Sequence, residues 1–126
     1  MTHRILVVDD EVQIVRVLRG YLEKAGFAVL TANDGREGLR LARQERPDLV
    51  ILDVMMSGIL DGLDASMRIR AEQGLKNTPI LMISSIASSD YAAMFPTDEY
   101  VPVENFLSKP VSPQRLLDEV KRLLPS

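Results

Sequence analysis

Ile5-Leu6-Val7-Val8-Asp9-Asp10, followed at once by Val12 to Ala25, sets an unbroken apolar tetrad against two carboxylates and then against a helical pattern. Four consecutive apolar residues are what a strand covered on both faces requires, and Ile14, Val15, Leu18, Leu22 and Ala25 recur at helical spacing. The chain therefore opens as a parallel strand feeding a helix. Two later runs end the same way: Leu49-Val50-Ile51-Leu52 runs into Asp53, and Phe106-Leu107-Ser108 into Lys109-Pro110. In a parallel sheet all strand ends of one polarity share an edge, so three carboxylates and one ammonium converge there. Such a cluster calls for a cation and suits a phosphoryl group.

The remaining segments keep the alternation. Gly26 ends the first helix, Phe27 to Ala32 reads as a second strand, and Asn33 or Asp34 can cap a short helix that stops before Pro47. After Leu49 to Leu52 and a loop with Gly58 and Gly62, the pattern predicts a helix from about Leu63 to Gln73, with Leu63 and Met67 facing inward. Pro79 opens the run Ile80 to Ile83, which leads into Ser84-Ser85 and a weaker helical stretch, Ser88 to Phe95; Asn105 to Ser108 is a short fifth strand. Ser112 and Pro113 start a final helix whose apolar stripe is Leu116, Leu117, Val120, Leu123 and Leu124. Arg115, Asp118, Lys121 and Arg122 fall off that stripe and read as a solvated face. Five strands and five helices with short connections imply an open, doubly wound α/β sheet in one domain spanning residues 1–126. Only Tyr91 to Glu104, with Pro96 and Pro102, breaks the rhythm.

Composition narrows the function classes. The 126 residues are 46% hydrophobic, enough for one sizeable core and too few for a second domain. A net charge of −3 with dispersed basic residues lacks the footprint of a nucleic-acid binder. Cysteine is absent, which excludes disulfides and thiolate metal sites. No apolar run approaches the roughly 20 residues of a membrane span, and no signal-peptide region precedes the first strand, so a soluble, intracellular protein is expected.

Each member of the cluster has an ordinary alternative. Asp9 and Asp10 could simply cap a helix, Lys109 could be a surface lysine, and Ser84 a turn serine. Asp53 shifts the balance for the acids: a third carboxylate at another strand's end repels the first two unless a cation stands between them. Hard oxygen donors in this number suit Mg²⁺, which favours one or two carboxylates plus phosphate oxygens. Lys109 can offer a compact positive charge to a phosphoryl oxygen on the same edge, and Ser84 a hydrogen bond.

The motifs ILVVDDE, LVILDVMM, PILMISS and FLSKPV, in that order, make the chain resemble the receiver domain of bacterial two-component response regulators over essentially its whole length. The resemblance implies a flavodoxin-like sheet in the order 2-1-3-4-5. It implies Asp53 as the residue that accepts a phosphoryl group from a histidine kinase or phosphotransfer protein. Asp10 would ligate Mg²⁺ directly, Asp9 largely through water, and Met55 through its backbone carbonyl. Lys109 would pair with the phosphoryl group, Ser84 would be the switch hydroxyl, and Phe106 the aromatic that changes rotamer; Phe106 also reads as a core aromatic. Such a domain is a cytoplasmic phosphoprotein of signal transduction rather than an enzyme in the usual sense. It signals to a downstream protein or a fused output domain, without touching nucleic acid or membrane itself. A homodimer is left open, and an end at Ser126 fits a stand-alone or an excised receiver.

The chain departs from the family pattern in three places. Ser57 stands where proline usually follows the acceptor, and Asp61-Gly62 comes one residue late. Ser85 replaces the usual alanine or glycine after the switch hydroxyl. Tyr91-Ala92-Ala93-Met94-Phe95-Pro96 with Asp98-Glu99 replaces a common glycine-alanine turn and is the expected seat of partner specificity, through Tyr91, Phe95 or Tyr100. Rival readings are a receiver-like module that is never phosphorylated, a phosphatase with an aspartate nucleophile, and a phosphohistidine carrier. The retained Asp9, Asp10, Asp53, Ser84 and Lys109 argue against the first. The phosphatase needs an acid where Met55 stands, and for the carrier the only histidine, His3, precedes the first strand.

Overall fold

The four apolar residues from Ile5 to Val8 are fully buried, and what covers them on either side defines the architecture. The computed structural model describes residues 2–53, 61–84, 105–108 and 112–124. Its elements are β1 (Arg4–Val8), α1 (Val12–Lys24), β2 (Ala28–Ala32), α2 (Gly35–Glu45), β3 (Leu49–Asp53), α3 (Asp61–Ala71), β4 (Ile80–Ser84), β5 (Asn105–Ser108) and α4 (Pro113–Leu123). The strands form a five-stranded sheet in the order β2-β1-β3-β4-β5, and every neighbouring pair is parallel. The helical stretch expected from Ser88 to Phe95 lies outside the described residues.

Alternation along the strands divides the core in two. Leu6, Val8, Val50, Leu52, Ile80 and Met82 point to a layer completed by Leu39 and Ala42 of α2 and by Ala65 and Ile69 of α3. Ile5, Val7, Leu49, Ile51, Leu81 and Ile83 point the other way, against Leu18 and Leu22 of α1 and Leu116 and Val120 of α4. Helices therefore cover both faces, and the central strands are apolar throughout because neither side meets water.

Local chemistry explains the helix ends. The N–H of Gly26 donates to Glu23 O and that of Phe27 to Leu22 O, both at 3.0 Å. With Gly26 at φ 99°, this is the paired-bond termination that glycine permits, and Phe27 packs into the same cluster as Leu22. Asp34 caps α2 by accepting from Glu37 N at 2.8 Å, and Ser112 caps α4 by accepting from Arg115 N at 3.1 Å. Gly38 has a packing role: a Cβ there would stand 2.8 Å from Val8 Cγ2, so α2 lies closer to β1 than any larger residue allows.

Three details differ from the sequence expectation. Ala25 is the exposed C-cap of α1 rather than part of its buried stripe. The second strand begins at Ala28, because Phe27 is still engaged in terminating α1. The third helix runs Asp61–Ala71 instead of Leu63 to Gln73, and Met67 is 55% exposed; Ala65, Ser66 and Ile69 face inward. Ala65 and Ile69 pack into the core layer that Leu39 and Ala42 of α2 complete.

Candidate functional site

Strand register builds the site. Val8 pairs with Leu52, so the next residues, Asp9 and Asp53, leave the sheet side by side at its carboxyl edge. The N–H of Asp9 still donates to Ala32 O at 3.1 Å, extending the ladder to β2 by one residue, and Asp53 pairs with Ile83 of β4. Asp9 and Asp53 are 0% and 2% exposed, whereas Asp10 and Glu11 are open to solvent. One carboxylate oxygen from each of Asp9, Asp10, Glu11 and Asp53 lies within 4.8 Å of the others.

The helix-cap alternative for the acidic pair does not hold. The N-cap of α1 is Glu11, which makes no side-chain cap bond, and there is no acid in the helix's first turn. Asp9 instead accepts from Glu11 N at 2.9 Å, so one acid of the site fixes the backbone that carries another. Two buried carboxylates at this separation repel by roughly 3 kcal/mol at an effective dielectric of about 20 unless compensated. The donor set consists of hard carboxylate oxygens without sulfur or imidazole, and it fits Mg²⁺ better than a softer metal.

Of the other expected members, Ser84 lies at the same edge, Phe106 two residues inside it, and the rest beyond what is described. Ser84 closes β4 and pairs with Ser108 of β5, and Phe106 pairs with Met82. Lys109 and Met55 lie outside the described residues, as do Ser57, Ser85 and the segment from Tyr91 to Glu104. Glu11 is the member that the sequence reading passed over, although it stands in the quoted motif ILVVDDE. The signal was the unbroken acidic run itself; without coordinates Glu11 reads only as a residue of the turn into α1. A cleft of about 740 Å³ sits at the opposite sheet edge between Asp48, Gly74, Pro79 and Arg122, away from the acids.

Residues 5–121 match the family described as the response regulator receiver domain, and the chain belongs to that family. It is a receiver domain of the two-component signalling type. Over 124 residues it is 36% identical to the alkaline phosphatase synthesis transcriptional regulatory protein PhoP of Bacillus subtilis (strain 168), covering 98% of this chain and 49% of that protein. The chain thus spans about half the length of the curated relatives it matches. Among solved structures it resembles the chemotaxis response regulator CheY4 of Vibrio cholerae, at 33% identity and a TM-score of 0.86, covering 98% of this chain and 100% of that one. It also resembles the response regulator TrrA of Thermotoga maritima, solved in complex with Mg²⁺ and BeF, at 32% identity and a TM-score of 0.81, with the same coverage. No helix among the described residues is long and apolar enough to cross a membrane.

Proposed function

We propose that this receiver accepts a phosphoryl group on Asp53, with a divalent cation held by Asp10 and Asp53 directly, by Asp9 largely through water, and by the backbone carbonyl of Met55. The observation that carries this reading is the buried Asp53 at the end of β3, its carboxylate within 4.8 Å of those of Asp9 and Asp10. The TrrA structure, titled as a complex with Mg²⁺ and BeF, supports the choice of cation.

In the reaction, an Asp53 carboxylate oxygen attacks the phosphorus of a phosphohistidine on a kinase or phosphotransfer protein. The P–N bond breaks as the P–O bond forms, and the imidazole leaves. Phosphoryl transfer asks mainly for in-line positioning and charge neutralisation. Burial between β1 and β4 fixes the direction in which the Asp53 carboxylate presents itself. Lys109, directly after β5, pairs with the transferred group. When bound, the cation offsets the negative charge of the carboxylates and of the incoming phosphoryl oxygens. Ser84 and Phe106, on the adjacent strands β4 and β5, form the switch: the hydroxyl moves to the phosphoryl group and the aromatic ring follows into the vacated space.

The protein is a cytoplasmic phosphoacceptor rather than a turnover enzyme, and its state is read by a downstream protein or a fused output domain. Relatives named as transcriptional regulators, of about twice this length, support the latter. Incubation with Mg²⁺ and beryllofluoride, followed by NMR shift mapping, tests the reading. Perturbations centred on Asp53, Ser84 and Phe106 are expected; a spectrum unchanged by beryllofluoride would favour a receiver-like module that is never phosphorylated.

A further inference from the structure

We infer that the outward face of α2 is a docking surface for an acidic helical segment of a protein partner. Its exposed positions are Arg36, Arg40, Arg43 and Gln44, so every charge that α2 turns fully to solvent is positive. The two acids of the helix, Glu37 and Glu45, are partly buried, and Glu45 pairs with Arg4 of β1 at 3.0 Å. The other helices neutralise an exposed arginine within about one turn: Arg19 pairs with Glu23 in α1, Arg68 with Asp64 in α3 and Arg122 with Glu119 in α4. Among the described residues no such pair forms within α2. Arg40 donates to the neutral Gln44 at 3.2 Å, and Arg43 leaves the helix to meet Glu72 at 2.9 Å.

Arg36, Arg40 and Arg43 stand at i, i+4 and i+7, which makes one row about 10.5 Å long. Like charges at this spacing weaken a helix, so the row costs stability where α1, α3 and α4 gain it. In a chain of net charge −3 it is also a local reversal of sign. Beside its first member lies a crevice of about 290 Å³ between α2 and α3, lined by Gly35, Arg36, Leu39, Asp64, Ala65 and Arg68. Leu39 and Ala65 give the crevice an apolar part, and Arg36 and Arg68 bring two guanidiniums to it. These features together fit one occupant. A helix with acids at i, i+4 and i+7 matches the row, and each guanidinium fork can hold a carboxylate through two parallel hydrogen bonds. An apolar side chain next to the first acid then enters the crevice. A long polyanion such as duplex DNA meets the repulsion of the whole negatively charged chain, whereas a short acidic helix engages only charges within a screening length of about 8 Å.

The probe is a fluorescent, helix-forming peptide of about 20 residues with a leucine beside a row of glutamates at i, i+4 and i+7. An isomer with the same composition but its glutamates spread around the helix, and a duplex DNA, are titrated alongside it into the full chain at low ionic strength. The row peptide is expected to bind and to shift backbone amides of α2 and α3 in NMR spectra. Arg36→Glu with Arg40→Glu should weaken its binding by about tenfold or more, and Arg36→Gln with Arg40→Gln by a smaller factor. Arg16→Glu with Arg115→Glu, which changes net charge equally on other helices, should weaken it by about twofold or less. All four positions are exposed, so circular dichroism and the response to beryllofluoride should match the wild type in every variant. No binding of the row peptide, equal binding of its isomer, or equal weakening by the two charge-reversed variants overturns the proposal. Binding of DNA in preference to the peptide, lost on reversal of Arg36 and Arg40, overturns it in favour of nucleic acid. A failure here leaves the reading of Asp53 standing, because beryllofluoride tests that reading separately.

Discussion

Asp53 is a charged residue that the fold places almost entirely out of water, between the ends of two neighbouring strands. Replacing it with asparagine keeps its shape and removes the proposed nucleophile. Asp53→Asn should show no hydroxylamine-sensitive phosphorylation with a small phosphodonor and Mg²⁺ on a phosphate-affinity gel, while retaining the wild-type circular dichroism spectrum. Persistent labelling at the wild-type level would place the acceptor elsewhere. The spacing of acids after apolar runs was enough to single out Asp9, Asp10 and Asp53. It was not enough for Glu11, because a third consecutive acid at the start of a helix has an ordinary local explanation that only coordinates remove.

At the scale of elements, the contact of α2 with β1 is the tightest constraint near the site, since Val8 immediately precedes Asp9. Val8 is β-branched and cannot swing away easily, so a side chain at Gly38 must move the helix or the strand. In Gly38→Ala, a helix-propensity gain of about 1 kcal/mol opposes an overpacking cost of about 1–3 kcal/mol, leaving a small net loss. Gly38→Val adds two further methyl groups and gains less propensity, so a loss of about 2–3 kcal/mol in urea unfolding is expected. A Val variant as stable as the wild type would mean that the helix can recede freely. Three helix ends were readable from sequence because caps are local chemistry: Asp34, Ser112 and Gly26 each act within a few residues of their own position. The inner face of α3 was not, because which of its residues turn inward is set by packing against the sheet and α2, which buries Ala65 and Ile69 and leaves Met67 exposed.

For the whole molecule, one sheet carries two separate cores, and the same strands contribute to both. Ile69→Ala removes a fully buried side chain from one core and Leu116→Ala from the other, each at a cost of about 2–5 kcal/mol. Because the sheet separates them, the double variant should lose close to the sum, within about 0.5 kcal/mol, with no change in the denaturant slope. Strong non-additivity would reveal coupling through the sheet. The cation is linked to the same global equilibrium. Mg²⁺ at a hundredfold excess over its Kd should stabilise the wild type by about 2.7 kcal/mol, read as an increase in Tm that chelation reverses and that Asp10→Asn largely removes. An identical Tm in Mg²⁺ and in chelator would contradict a preformed cation site.

By itself the sequence determined the alternation of the described strands and helices, the caps at Asp34, Ser112 and Gly26, the coverage of both sheet faces, and the three acids that a parallel sheet must gather at one edge. Those features follow from hydrophobic periodicity and short-range hydrogen bonding, which need only neighbouring residues. The tertiary structure alone decided that Val8 stands opposite Leu52, that Glu11 joins the acids, and that Met67 faces water. Each of these depends on long-range register or on how distant elements pack together, and neither is encoded in any single stretch of the chain.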